Sequence, residues 1–432
     1  MQGPSWKAGT ARAVITPRQP LWLAGYGNRD HPSEGTLHDL WIKALALEDA
    51  AGHRAVILTS DLCGISREMY DSLCRKFQDR FGLDRSQVML TFSHNHCAPV
   101  TRGDLVDYYP LDEEQQARVN AYSDWLEEQI VAVVGQALDR LAPAALEKGE
   151  GVCTFAVNRR NNSEAEVPGM LARGETPKGP VDHSVPVLAV RDAEGNLQAL
   201  LFGYACHNTT LSFYRWCGDY AGFAQLALER NHPGTTAMFF MGCGGDQNPI
   251  PRHSVELAEK YGHQLAAAAE EVLQRPLTPI APQLRTAFDW VTLDFERNPT
   301  REELEEAASE QGSVRGRWAR RTLALLERGE VFPRSYRYPV QVWRLGKELL
   351  WISLGAEAVV DYALRFKRQF GSDTWVGGYA HTQVAYIPSR RVWEEGGYEG
   401  GNLFEYGHPA YRWAGDVEDR IATAVERLVK GP

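Results

Sequence analysis

Apolar, largely β-branched runs of strand length recur along the 432-residue chain: Arg54 to Leu62, Gln87 to Phe92, Val185 to Val190, Ala199 to Cys206, Thr235 to Met241, Leu349 to Leu354 and Val376 to Tyr386. Between them lie segments with a helical period. These are Ser66 to Phe81, with Ser66 as a candidate N-cap, then Glu113 to Leu141, Tyr220 to Asn231, Ser254 to Gln274, Thr300 to Arg328, Val359 to Phe370 and Asp416 to Val429. The alternation predicts an α/β fold with a mixed β-sheet core flanked by helices. No repeat or low-complexity block divides the chain, so a single catalytic domain over 1–432 is expected. Two stretches fit a compact sheet poorly. Residues 161–180, rich in Gly, Pro, Glu and Lys, read as a loop insertion. Residues 296–332 read as a charged helical insertion opened by a Thr300/Glu303 capping box. Either is a candidate lid or a solvated arm.

Polar residues gathered just past an apolar strand are where α/β proteins build sites. Such clusters here are Ser60-Asp61, Ser93-His94-Asn95-His96, His207-Asn208-Thr209-Thr210, Gly242 to Pro249 and Gly355-Ala356-Glu357. On an extended strand His94 and His96 fall on one face, within reach of a single ion or of an ion and its water. His207 closes a second strand, and a carboxylate such as Glu357 completes a common open zinc site. The glycine-rich turn presents backbone N–H groups and the triplet Asp246-Gln247-Asn248, suited to an oxyanion or a ligand hydroxyl. It matches neither GxxxxGK[ST] nor GxGxxG, so nucleotide binding is unsupported. Asp61, at its own strand end, and Tyr398, an aromatic able to stack on a sugar or an acyl chain, join Asp246 and Gln247 as candidate substrate contacts.

Composition narrows the partner. Hydrophobic residues make up 44% and charged residues 24%, ordinary for a water-soluble globular protein. A net charge of −10 supplies no basic field for nucleic acid or an anionic membrane surface, so a small-molecule substrate is expected, without stable membrane association. The seven cysteines read as reduced core residues, with Cys97 and Cys243 the two whose positions bear on the site. With no leader pattern in the first residues and no long apolar run, the expected location is cytoplasmic.

Taken together, the chain resembles the catalytic domain of the neutral, non-lysosomal ceramidase family across roughly residues 7 to 410. The stretches that carry the resemblance are Ala8 to Pro17, Ala24 to Gly27, Leu37 to Leu45, Ser93 to His96, Asn158-Arg159, Tyr204 to His207, Gly218 to Gly222, Gly244 to Pro249, Gly355 to Glu357 and Tyr386-Ile387. They occur in the family's order. The resemblance implies one Zn2+ ion held by His94, His207, Glu357 and Tyr386, with Tyr379 the rival tyrosine. It makes His96 a residue beside the metal that contacts substrate or water, and it turns Arg159 to the reacting carbonyl. The chain departs from the secreted members, which continue into an immunoglobulin-like domain, and no such C-terminal domain is expected here. At the family's serine position stands Asn248, whose amide cannot act as a nucleophile. The expected reaction is therefore metal-activated attack of water on a C–N amide bond in a small polar N-acyl substrate. His96 is cast as proton shuttle, and Arg159 and Asn248 as oxyanion or hydroxyl partners. The alternatives are hydrolysis of ceramide or another N-acyl lipid, ester or glycoside cleavage, and a non-catalytic zinc-containing binding protein.

Overall fold

The computed structural model describes residues 5–431. The leader reading rests in part on Met1 to Pro4, which lie outside the described residues. A 13-stranded sheet threads the molecule. From one edge its strands are Thr236–Met241, Leu197–Tyr204, Ser184–Asp192, Ala142–Val152, Trp6–Val14 and Trp41–Glu48. The order continues through Arg54–Ser60, Val88–Phe92, Trp375–Ala380, Leu349–Gly355, Ser335–Leu345 and Leu284–Asp294, and the short Thr278–Pro279 strand sits beside Ala142–Val152. Three neighbouring pairs are parallel, among them Arg54–Ser60 with Val88–Phe92 and Leu349–Gly355 with Trp375–Ala380. The sheet is mixed, as the alternation of strand and helix patterns implied.

The apolar runs are continuous because most of these strands are buried on both faces. Along Arg54–Ser60, Val56 and Leu58 enter one core while Ala55 and Ile57 enter another; along Leu197–Tyr204, Leu200 and Phe202 part in the same way from Ala199 and Leu201. Ile57, Met89, Leu201, Phe240, Trp343 and Trp351, from both halves of the sheet, share one inner core. The sheet is rolled so that its halves face each other, and a bridge between Gly242 and Gly377 brings the edge strand against the middle. The outer faces are covered by three helix layers: Arg67–Phe81 with Glu113–Asp139, Asp219–Asn231 with Val255–Leu273, and Val360–Phe370 with Val417–Lys430. Rolling has a functional consequence. It carries the ends of the neighbouring strands Leu197–Tyr204 and Thr236–Met241 to those of Val88–Phe92 and Leu349–Gly355, far from them in sheet order.

Several boundaries differ from expectation. The run Val376 to Tyr386 is two strands: Trp375–Ala380 stops where His381 takes φ 64°, and Tyr386–Ile387 pairs with Glu357–Ala358 in a separate ladder. Thr300 to Arg328 is two helices, Arg301–Ala308 with the expected capping box and Val314–Glu327 with its own Ser313 cap, parted at Gly312. The 161–180 stretch holds one short helix, Val167–Ala172. Trp6–Val14, Trp41–Glu48, Ala142–Val152, Leu284–Asp294 and Ser335–Leu345 were not expected as strands. Most of them interleave Lys, Arg, Glu or Thr with the apolar residues, and Trp41–Glu48 is rich in the helix formers Ala and Leu.

Candidate metal centre

His94 does not reach the site by strand period. Val88–Phe92 ends two residues earlier, and His94 takes φ 53°, a left-handed conformation that costs a non-glycine residue about 1 kcal/mol. Asn95 fixes the turn. Its buried amide donates to Cys217 O (2.5 Å) and Asp61 O (3.2 Å), and its Oδ1 accepts from Cys97 N (2.9 Å). Pinned in this way, His94 and His96 turn to the same side, with their Nε2 atoms 3.1 Å apart. Gly25, at φ +92°, lets the backbone pass the His96 ring; a Cβ there would lie 2.3 Å from the ring. Gly25→Ala is expected to displace His96 and destabilise the fold by about 1–3 kcal/mol. A thermal melt and a kinetic assay would show both losses together.

His207 follows Leu197–Tyr204, and its loop is stapled to the start of helix Asp219–Asn231. Tyr220 Oη donates to Cys206 O (2.5 Å), Asn208 Nδ2 to Gly218 O (3.0 Å), and Leu211 N to Asp219 Oδ2 (2.8 Å). Burial pushes the Asp219 carboxyl up to about 6. A folded value above the unfolded one means the folded state holds this proton between roughly pH 4 and 6 while the unfolded chain has released it. Its contribution to stability is therefore full in acid and falls as pH rises through that window. The unfolding free energy of wild type relative to Asp219→Asn, which keeps the shape and tolerates φ 52°, is expected to drop by about 3 kcal/mol from pH 4 to 7. Paired denaturant titrations across that range would measure it.

At the centre is Glu357, which follows Ala356 at φ 57°. Glu357 Oε2 lies 3.2 Å from His94 Nε2 and 3.1 Å from His207 Nε2; Tyr386 Oη is 3.2 Å from the same His207 nitrogen. Each outer ring nitrogen faces backbone carbonyl: His94 Nδ1 is 3.1 Å from Cys63 O, and His207 Nδ1 2.7 Å from Gly244 O. These contacts place a proton on each Nδ1; the neutral His207 turns an Nε2 lone pair toward the carboxylate oxygen, and the Nε2 of His94 carries the proton that pairs with it. A metal ion would take the place of that proton among the same atoms. Spacings of 3.1–3.2 Å also match the edge of a tetrahedron with zinc-type bonds of 2.0–2.1 Å, about 3.3 Å. His94, His207 and Glu357 thus form a buried group able to hold a metal ion, and the residues present fit one.

The charges agree with this geometry. Burial disfavours the ionised Glu357, but His94 and the hydrogen bonds to His207 and His94 hold its carboxyl well below the usual range. Burial, then Arg159, brings His207 down to about 4, which keeps it neutral with its lone pair available. For His94, burial opposes charging but Glu357 and Cys63 outweigh it and raise the imidazole well above its ordinary value. Tyr406 donates to the other carboxylate oxygen, Glu357 Oε1. His96, lowered well below its usual value by burial and by His94 and His207, contacts His94 within this set, and its ring centre is 6.4 Å from that of His207. Its Nδ1 has no partner.

Arg159 forms the next wall. It donates from Nη2 to Tyr386 Oη (3.0 Å), from Nη1 to Asn248 Oδ1 (3.2 Å) and from Nε to Glu399 Oε1 (2.7 Å). Tyr379, the rival tyrosine, lies behind the site with its hydroxyl 3.5 Å from His207 Nδ1, whereas the Tyr386 hydroxyl is on the Nε2 side. Tyr398, 45% exposed, stands at the mouth against Tyr386, with ring centres 5.1 Å apart. The pocket bounded by these groups has a volume of about 130 Å3, small beside the roughly 300–1,000 Å3 of drug-sized sites.

Other expected contacts lie outside the pocket lining. Asp61 accepts from Trp41 N and Gln225 Nε2 at the sheet rim. Asp246 accepts from Val360 N and Asn158 Nδ2, and Gln247 donates to Ala205 O and accepts from Asp182 N. All three side chains are engaged in holding strand ends and the glycine-rich turn together. Asn248 meets the site through Arg159. Cys97 and Cys243 are buried, and burial pushes both thiols up, away from reactivity. The stretches 161–180 and 296–332 stand one residue back from the pocket. Glu164 of the 161–180 stretch pairs with Arg252 in the lining, and Arg317 of the helical excursion donates to the carbonyls of Asp107 and Tyr108, the latter also in the lining. Tyr26, Arg252 and Tyr406 line the pocket without having been singled out as site residues. Of these only Tyr26 had a sequence signal, the Ala24 to Gly27 stretch.

The rolled mixed sheet, with histidine, carboxylate and tyrosine donors converging at its strand ends, defines an α/β protein with a metal-type pocket. The chain belongs to the family described as neutral/alkaline non-lysosomal ceramidase, N-terminal, whose sequence model matches residues 6–249. It is similar to "Neutral ceramidase" of Pseudomonas aeruginosa, 24% identical over 329 residues, covering 71% of this chain and 47% of that protein. It is also similar to "Neutral ceramidase B" of Dictyostelium discoideum, 26% identical over 249 residues, covering 53% and 33%. The chain thus spans about half the length, or less, of these curated relatives. The crystal structure of neutral ceramidase from Pseudomonas aeruginosa superposes with a TM-score of 0.72 over 99% of this chain and 75% of that one, at 19% identity, and so shares the fold.

Proposed function

We propose that this protein is a zinc-dependent hydrolase that cleaves the C–N amide bond of a small, polar N-acyl substrate. The observation that carries the reading is the convergence of the His94 and His207 Nε2 atoms and the Tyr386 hydroxyl around Glu357, beside the Arg159 guanidinium. His94, His207, Glu357 and Tyr386 would hold the ion. When bound, zinc polarises a substrate carbonyl and lowers the pKa of water from 15.7 towards about 7. His96, with Nδ1 unpartnered and its ring beside His94, accepts the proton of the attacking water and returns it to the leaving nitrogen. Arg159 has five N–H groups, and its contacts with Tyr386, Asn248 and Glu399 leave two for the developing oxyanion. Asn248 positions Arg159 and attacks nothing. Asp246, Gln247 and Asp61 hold the scaffold, and Tyr398 borders the entrance.

Relatives named as ceramidases support an amide as the bond cleaved. They also favour a second reading, ceramide itself; the small, largely polar pocket favours the first. Seven buried, unpaired cysteines support a reducing, cytoplasmic setting. No helix among the described residues is long and apolar enough to cross a membrane.

The test is amine release from zinc-loaded protein, with small N-acyl amides and a detergent-dispersed short-chain ceramide compared side by side. Asn248→Ala should retain hydrolysis, reduced about tenfold for one lost hydrogen bond to a charged group, while His94→Ala should abolish it. Full activity in zinc-free protein, or equal loss in the two variants, would contradict the reading. Preference for the ceramide would select the lipid instead.

A further inference from the structure

The pocket lining also includes Arg252, Thr209 and Tyr26, which the metal chemistry does not use. Arg252 is held rigidly. Its Nε and Nη2 donate to the two oxygens of Glu164 at 2.9 and 2.8 Å, a bidentate pair that fixes the guanidinium plane. Glu164 is itself braced by His253 Nε2 at 2.9 Å, and His253 Nδ1 lies 3.2 Å from Ser212 Oγ. The third nitrogen, Nη1, has only a long 3.5 Å contact with Thr209 O. Beside it the Thr209 hydroxyl, on a residue 2% exposed, has no hydrogen-bond partner at all.

A buried hydroxyl without a partner costs about 1–3 kcal/mol, and a fixed guanidinium with free N–H groups is a donor without an acceptor. Both are answered by one ligand group that accepts from each. Resting on the amidase reading above, we propose that Arg252 Nη1 and Thr209 Oγ1 form a carboxylate-recognition subsite, which makes the preferred substrate an N-acyl amino acid. The amide to be cleaved would lie toward Glu357 and Arg159, and the carboxylate toward Arg252. A pocket of about 130 Å3 accommodates both ends of such a molecule when the acyl group and side chain are small. The Glu164 pair has two roles here: it orients Arg252, and it ties the 161–180 stretch to specificity.

The test compares kcat/KM for N-acetylglycine and for N-acetylglycinamide, which differ only in the charge and donors at the distal end. Wild type should prefer the acid by about 10–100-fold, the equivalent of a bidentate charged contact. In Arg252→Gln that ratio should fall to near one, and Arg252→Lys, which keeps the charge but not the fork, should restore part of it. Calorimetry with N-acetylglycine on metal-free protein gives a readout independent of turnover: binding should weaken at least about tenfold in Arg252→Gln and in Thr209→Val. Equal wild-type rates on acid and amide, or an unchanged ratio in Arg252→Gln, would overturn the subsite while leaving the amidase reading intact. Failure to cleave either compound or any other amide would remove the amidase reading instead, and absence of calorimetric binding would then overturn the subsite on its own.

Discussion

Glu357→Gln is expected to lower hydrolysis by at least about 10³-fold and to destabilise the metal-free protein by up to about 3–5 kcal/mol. The two effects have one cause. Glu357 Oε2 is the atom on which His94 Nε2 and His207 Nε2 converge, and in the metal-free wild type its charge pairs with the protonated His94. A neutral amide at that position leaves the buried His94 without its counter-charge and cannot serve as the anionic ligand. The loss of several kcal/mol of electrostatic stabilisation at the reacting carbonyl follows from the missing ligand. Steady-state rates, with melting temperatures taken with and without added zinc, separate the terms. Zinc should raise the melting point of wild type, since it binds the folded state, and should barely move that of Glu357→Gln.

Arg159→Met is expected to cost both activity and stability, by routes that a second substitution separates. Arg159 and Arg160 share Glu399, which is 4% exposed, at 2.7 and 2.6 Å. Removing the first leaves a buried carboxylate half paired, a change that costs up to about 3–5 kcal/mol. Tyr386 Oη and Asn248 Oδ1 lose their donor at the same time. Hydrolysis should fall about 10²–10³-fold, the usual effect of removing one preorganised oxyanion donor. Adding Glu399→Gln should recover much of the unfolding free energy, because the amide no longer carries an unpaired charge, without recovering the rate. If the double variant regained activity, Arg159 would be a structural cation and not a partner of the substrate.

The site was legible where its residues close apolar runs. His94, His207 and Glu357 each come within three residues of the end of a strand, and a doubly buried strand has a sequence pattern that can be read without its neighbours. What brings them together cannot be read that way. The roll that sets Gly242 against Gly377 is a property of the whole sheet, built by strands such as Trp6–Val14 and Ala142–Val152 whose interleaved charges hid them. The HxH pair was found for an incomplete reason. Strand period suggested a shared face, whereas a left-handed His94 pinned by the Asn95 amide provides it. Tyr406 and Arg252 had no local signal. Tyr406 lies in the single turn Leu403–Tyr406, and Arg252 acquires its orientation from Glu164, 88 residues earlier in the chain. Asp246 and Gln247 misled for the opposite reason: a polar triplet in a glycine-rich turn suggests ligand binding, but here two of its members satisfy the backbone and side chains that hold the turn.

We propose that His94, His207, Glu357 and Tyr386 enclose a single zinc ion. Metal content of the purified protein, measured by mass spectrometry after exhaustive dialysis against zinc-containing and then zinc-free buffer, tests it most directly. One zinc per chain in wild type and less than about a tenth of that in His94→Ala and His207→Ala, with both variants folded by circular dichroism, is the predicted result. Zinc absent from wild type, or retained in full by both variants, would contradict it.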